Sequence, residues 1–411
     1  MRNKATTLLL LLSWLCMEVH AQLGRYRADF HVSPANFADT ITLEWLGGQV
    51  YVPLTIEGRS YRFLLDTGAS QTVVFSESPL AKGPQAGKIL SHDATGHTDI
   101  VSMVMLPPVQ LGQTMLSGLR ATVQPSSSRL DGILGFDLVN GGLSIKIDVP
   151  NGQLVITDRK HHFALPRRQG TATVQLKYHL NYHVPYIDII PFGHTRQRVL
   201  FDTGSRQFFS INKHQFDEAV ANERKRHIPP EKTDFIVEGT TMGHHAIGHH
   251  GTEPMGQVIF LQFDNLRLGR YAFSHVHSLT TQGGSHLGAQ LLRHGAVTFI
   301  AGKRHFLFQP VSPQQPCPVD NRQIEIAFVA DSLGRPQVGL VWEQGTPFRL
   351  GFRQGDIIEQ IDHHPISTMA QFAAFSFVRG REYLFTICSP QGVRRNISWV
   401  RLPATLGGSR K

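Results

Sequence analysis

The chain has 411 residues, 41% of them hydrophobic and 17% charged, a composition that excludes intrinsic disorder and a length that exceeds one ordinary domain. Its formal net charge is +9 at pH 7, but the basic residues are scattered. The densest run, Arg224-Lys225-Arg226, sits beside Glu218 and Glu223 in a predicted surface helix, so a solvated face rather than a nucleic-acid footprint is expected.

In chain order, Arg2 and Lys4, the apolar stretch around Leu8 to Leu12 and Val19-His20-Ala21 before Gln22 make an export signal over residues 1–21, too short to span a membrane. Trp14 and Leu15 are too bulky for lipidation at Cys16. A soluble, exported chain with no transmembrane segment is therefore expected, in the periplasm, on the outer cell surface or outside the cell. Residues 22–45 are either a short pro-segment or an extra strand. From Val50 onward strand-like alternation dominates, as in Val50 to Ile56 and Arg62 to Leu65. The second strand ends in Asp66-Thr67-Gly68, followed by Ala69. Further on, Asn151-Gly152 between Ile145-Lys146-Ile147 and Leu154-Val155-Ile156 is a hairpin signal.

A second strand-like run, Val199-Leu200-Phe201, ends in Asp202-Thr203-Gly204 and is followed by Ser205. The surroundings repeat as well: VQLGQTMLSGL matches LRLGRYAFSHV, and GFDLVNGGLSIKI after Ile133-Leu134 matches GAQLLRHGAVTFI after Leu287. The chain is thus duplicated over most of residues 45–310. In the second copy His286 stands where the first has Ile133. The second copy is also longer between its Asp-Thr-Gly and Leu-Gly, 67 residues against 46. It carries the best helical candidate, Gln215 to Arg226, and a histidine-rich stretch from Met242 to His250. His245 and His249 have the i,i+4 spacing that chelates zinc on a helix, but the flanking glycines argue against a helix. A flap gaining charge near about pH 6 is expected instead, with no metal or cofactor.

A strand ending in Asp-Thr-Gly sets a carboxylate in a tight turn, and two such turns face to face bring two carboxylates together, where they cannot both ionise easily. In both copies the sequence resembles the aspartic proteases of the pepsin/retropepsin clan. The resemblance implies that Asp66 and Asp202 form the catalytic dyad and that one activates water while its protonated partner polarises a peptide carbonyl. It implies that the backbone around Gly68 and Gly204 holds the carboxylates and that Thr67 and Thr203 brace the two loops. It also implies that a hairpin around Ala94-Thr95-Gly96 closes over polypeptide substrates. The absence of a Tyr on that hairpin, and Ala69, are retropepsin-like. In that family a serine after Asp-Thr-Gly can donate to its own aspartate, which Ser205 offers to Asp202 and Ala69 does not offer to Asp66. Two fused lobes would need no homodimer, so a monomer is expected.

From Gln309 the texture changes. Pro310, Pro313, Pro316 and Pro318 make an expected stiff linker over residues 311–322. Beyond it Val338-Gly339-Leu340-Val341, Gly345-Thr346-Pro347, Gly355-Asp356-Ile357-Ile358 and Ile361-Asp362 resemble a PDZ domain of the bacterial envelope-protease type over residues 323–402. Such domains take peptides or protein C-termini as an added strand, here expected along Ile324, Ile326 and Phe328. Once Cys16 is removed, Cys317 and Cys388 remain, either paired or free. The expected fold class is mainly β: a bilobal acid-protease-like pair of β-barrels (residues 22–160 and 161–310) followed by a small α+β PDZ domain. The alternative function is a degenerate protease fold kept as a peptide-binding scaffold.

Overall fold

The structure is a computed structural model that describes residues 28–93, 95, 97–125, 130–165, 173–226, 234–248, 251–378 and 380–400. The expected export signal, Ala94, Gly96, His249, His250 and residues 401–402 lie outside the described residues.

The chain is mainly β. Its first repeat comprises β1 (Gln49–Ile56), β2 (Arg59–Leu65), β3 (Val73–Phe75), β4 (Gln85–His92), β5 (Thr98–Met105), β6 (Arg120–Gln124) and β7 (Gly132–Leu134), bonded in the order β1-β2-β7-β3-β6-β5-β4. Next come β8 (Ser144–Asp148) and β9 (Gln153–Thr157), joined through the turn expected at Asn151-Gly152. The second repeat comprises β10 (Val184–Ile189), β11 (Gln197–Asp202), β12 (Phe209–Asn212), α1 (Lys213–Lys225), β13 (Phe235–Gly243), β14 (Gly256–Phe263), β15 (Val276–Thr281) and β16 (His286–Gly288). Its strand order, β10-β11-β16-β12-β15-β14-β13, reproduces that of the first repeat strand for strand. The directions match too: β7 runs parallel to β2 and antiparallel to β3, as β16 does to β11 and β12. The repeat seen in the residues is therefore also a repeat of topology.

The expected barrels are open sheets instead. The outer hairpin strands β4 and β13 have no buried residue apart from Gly243, so they present no continuous apolar face against which a sheet could close. Helix α1 supplies much of the second repeat's extra length. Asn212 caps it by accepting from the Gln215 N–H at 3.0 Å, and Phe216 and Ala219 are buried on its inner face. Glu223 is on that inner face too, not on the solvated one. It is 2% exposed and accepts from the Thr195 hydroxyl at 2.6 Å and the His194 N–H at 3.2 Å.

A six-stranded sheet ties the repeats together. It pairs β8 with β17 (Gly295–Ile300), which is followed by β18 (His305–Pro310), and β9 with Ala38–Thr42. Residues 38–42 are thus an extra strand built into the fold. One apolar core runs beneath both repeats, with Val52, Phe63, Phe201, Phe209, Phe299 and Phe306 each fully buried.

The C-terminal unit has its own core, around Val338, Phe352, Ile358, Phe385 and Trp399. Its sheet runs β19 (Ile326–Ala330), β20 (Pro336–Val341), β21 (Ile357–Ile361), β22 (Glu382–Cys388) and β23 (Arg394–Val400), with helices α2 (Thr346–Leu350) and α3 (Met369–Ala374). Cys317 and Cys388 are both free thiols. Among the described residues no helix is long and apolar enough to cross a membrane.

The proline-rich stretch 311–322 is a seam rather than a free spacer. Tyr271 donates its hydroxyl to the Ser312 carbonyl at 2.8 Å, and Cys317-Pro318 pairs alongside Phe273-Ser274. Asn321 accepts from the His277 N–H at 2.8 Å and donates to the His277 carbonyl at 2.7 Å. Beyond the seam Leu340 joins Val258, Phe260 and Leu279 in a buried cluster, and Trp342 lies 5.5 Å from the Phe260 ring. Prolines limit ladder bonds, but their neighbours' carbonyls and side chains still pair. Ending the chain after Pro310 should therefore cost about 3 kcal/mol or more of stability, from uncovering those side chains. A thermal melt checks this. A truncated chain as stable as the parent would show that the seam contributes little.

Candidate active site

Strands β2 and β11 each end by delivering an aspartate into a turn. Asp66 and Asp202 are 8% and 9% exposed, and their carboxyl side chains are hydrogen-bonded to one another. Each is also held by its own turn: Asp66 Oδ1 accepts from the Gly68 N–H at 2.8 Å, and Asp202 Oδ1 accepts from the Gly204 N–H at 2.9 Å. A Cβ placed on Gly68 would lie 2.6 Å from Asp202 Oδ1, and one on Gly204 would strike the Asp66 carboxylate. Glycine is needed at both positions because the opposite carboxylate occupies the space.

Threonine hydroxyls lock the two turns to each other. The Thr67 N–H donates to Thr203 Oγ1 at 2.9 Å and the Thr203 N–H donates to Thr67 Oγ1 at 3.1 Å. Thr67 Oγ1 donates to the Phe201 carbonyl and Thr203 Oγ1 to the Leu65 carbonyl, both at 2.6 Å. Both threonines are buried, so these bonds are made out of water's competition.

Behind the turns, β7 and β16 do the same work. The Phe136 N–H donates to the Ala69 carbonyl at 2.8 Å and the Ala289 N–H to the Ser205 carbonyl at 2.9 Å. His286 in place of an apolar residue leaves that support intact, because Leu287 supplies the buried side chain and Gly288 the close approach. Ser205 reaches Asp202 through its backbone N–H at 3.3 Å, where a hydroxyl contact was expected.

Burial raises the Asp202 carboxyl above its ordinary range, against the hydrogen bonds from Asp66, Gly204 and Ser205. A raised pKa in a hydrogen-bonded pair lets one carboxyl keep its proton while the other is ionised, which suits acid–base chemistry on a shared water.

Two further residues hold the site, of which only Asp137 stands in a stretch of sequence that matches between the two repeats. Gln49 crosses between the repeats, donating to the Gly204 carbonyl at 2.6 Å and accepting from Arg206 Nε at 2.9 Å. Asp137 accepts from the Thr72 N–H at 2.8 Å and the Thr72 hydroxyl at 3.1 Å, and burial pushes its carboxyl up to about 6. Both act on backbone far away in the chain.

Both hairpins form. The turn between β4 and β5 is held by Asp93 Oδ1, which accepts from the Thr95 and His97 N–H groups at 3.0 and 2.9 Å. Its tip meets the tip between β13 and β14: a His97 ring nitrogen lies 3.2 Å from the Thr252 carbonyl.

In the histidine-rich stretch, His245 does not gain charge readily in mild acid. His245 Nε2 lies 3.1 Å from the Thr280 carbonyl, and burial lowers its pKa despite the neighbouring Glu253. Glu253 is 2% exposed and accepts from the His245 and Ala246 N–H groups at 2.8 and 2.9 Å and from the Thr281 hydroxyl. Among the described residues no group of three or more His, Cys, Asp or Glu side chains could hold a metal ion.

The residues expected to take a peptide in the C-terminal unit separate. Ile326 and Phe328 lie on β19, the end strand of its sheet, with Phe328 4.7 Å from the Phe372 ring of α3. Ile324 precedes that strand and packs with Val258, Phe260 and Leu340 against the second repeat.

Burial pushes His286 and His294 down to about 4 from an ordinary 6.5. Each folded-state pKa is depressed, so the unfolded chain binds more protons between those values and stability rises with pH there. The contribution is full above pH 6.5 and is lost as pH falls toward 4. Melting temperature should drop through that window, and His294→Leu should flatten the slope. An unchanged slope in the variant would remove His294 as a cause.

Residues 52–138 match the sequence model of a family described as aspartyl protease. The match begins in β1 and takes in the first Asp-Thr-Gly, the first hairpin and Ile133-Leu134-Gly135. No curated protein matches the chain. The matched family supports a protease, hence a hydrolase acting on polypeptides.

Proposed function

We propose that the protein is an exported aspartic endopeptidase that assembles its site within one chain. Asp66 and Asp202 are its dyad, and the two repeats are retropepsin-like lobes. One observation carries the assignment: two buried aspartates, hydrogen-bonded to one another, stand on turns that are locked by reciprocal threonine bonds. The repeated strand order supports two lobes, each contributing one carboxyl.

In the proposed mechanism the ionised carboxylate takes a proton from water as the water attacks the peptide carbonyl. The protonated partner donates to the carbonyl oxygen, and the proton taken up then passes to the leaving amine. The C-terminal unit is proposed to be a PDZ-like domain that holds polypeptide substrates by adding a strand to the β19 edge, near Ile326 and Phe328.

The test is cleavage of unfolded casein by purified protein, compared with Asp66→Asn and Asp202→Asn and with pepstatin-type transition-state mimics added. Casein that binds but is never cut would instead favour a peptide-binding scaffold.

A further inference from the structure

The faces of the two repeats that carry the aspartates differ in chemistry. Side chains two apart on a strand share a face, and directly paired residues share it across strands. Leu64 therefore faces with Asp66, and Leu200 with Asp202. In the first repeat Leu64 pairs with Tyr51 and Ile133, and Ile133 pairs with Val73. These residues form an apolar cluster of their own, separate from the main core, with Ala69 packed against it.

The same register in the second repeat pairs Leu200 with Tyr186 and His286, and His286 with Ser210. Ile133, Val73 and Ala69 are thus replaced by His286, Ser210 and Ser205. The second repeat's face adjoins the dyad, since the charge of Asp66 is felt at His286 and that of Asp202 at Tyr186. The first repeat's face adjoins it through Ala69, which packs against the apolar cluster and donates its N–H to the Asp66 carbonyl at 3.3 Å.

Resting on the peptidase assignment, we infer that the cleft has one apolar wall and one polar wall, with His286 and Ser210 selecting an uncharged hydrogen-bonding side chain on one side of the scissile bond and the Ile133–Val73 wall selecting an apolar one on the other. Burial keeps His286 neutral well into mild acid, so it recognises by hydrogen bonds rather than by charge. An acidic side chain would meet the negative charge of the dyad. A hydrophobic pocket discriminates weakly against a small polar addition, whereas a hydrogen-bonding wall penalises a side chain that leaves it unpaired.

The test is cleavage-site profiling by mass spectrometry on a peptide library, using the full chain, His286→Ile, Ser210→Val and the double variant. The parent should cut bonds with an aliphatic or aromatic residue on one side and Asn, Gln, Ser or Thr on the other. The double variant should shift the ratio of kcat/KM toward bonds flanked by apolar residues on both sides by about tenfold. His286→Gln, which keeps a hydrogen-bonding group, should retain most of the parent preference. A parent that already cuts symmetric apolar sites, or a double variant with the parent profile, would overturn the inference while leaving the peptidase assignment standing. A parent that cuts no peptide at all would remove both.

Discussion

Asp66→Asn and Asp202→Asn should each lower kcat/KM for peptide hydrolysis by about a thousandfold or more, the loss expected when a paired acid–base group is removed. Asparagine is nearly isosteric with aspartate, and its carbonyl oxygen can accept the bond that Gly68 or Gly204 donates. What it cannot do is exchange a proton with water or the carbonyl at neutral cost. Stability should move little, and for Asp202→Asn it should hold or rise. Burial already disfavours the Asp202 charge, and a neutral amide removes that penalty. Activity and thermal melts measured on the same preparations separate the two effects. An Asp202→Asn protein with near-parent activity would leave a site built from Asp66 of two chains as the better account.

Thr67→Val and Thr203→Val should be the most damaging changes to the frame of the site. Valine keeps the volume of threonine and removes the hydroxyl. Each substitution deletes one bond accepted from the opposite turn's N–H and one donated to the opposite strand's carbonyl. Leaving buried N–H and carbonyl groups unpaired costs about 2–4 kcal/mol in total. The loss acts between the repeats, so the carboxyls should separate and kcat should fall along with stability. Thr67→Ser and Thr203→Ser, which keep the hydroxyl, should recover most of both. Valine variants that melt with the parent and cleave at its rate would mean the threonine bonds are incidental to the site.

Much of this site was legible in the residues before any coordinates. The two Asp-Thr-Gly turns, the Ile133-Leu134-Gly135 and His286-Leu287-Gly288 elements, the first hairpin and α1 are all local patterns. They depend on alternation, turn residues and helical periodicity within a few residues, and they recur in the structure at the expected places. The parts that were not legible lie between segments far apart in the chain. Gln49 reaches the Gly204 carbonyl across 155 residues, and nothing near Gln49 marks it as a bridging group. The histidine-rich tip reads as solvent-exposed because its neighbours are glycines and histidines. Within it the His245 side chain is buried, because Glu253, Thr280 and Thr281 fold back onto it.

The proline run before the C-terminal unit is a similar case. Low ladder capacity is a property of the residues themselves, whereas the seam along Tyr271 to Ser274 depends on which surface that stretch meets. Duplication and turn chemistry, both local, determine by themselves that this chain carries two equivalent aspartates, each at the end of a strand. Only the tertiary structure decides that the two carboxyls share a hydrogen bond, that the threonines interlock and that one wall beside them is apolar while the other is polar. Those outcomes depend on strand register and on contacts between groups more than a hundred residues apart. Such contacts form only when both repeats are folded and paired, and no local pattern encodes them.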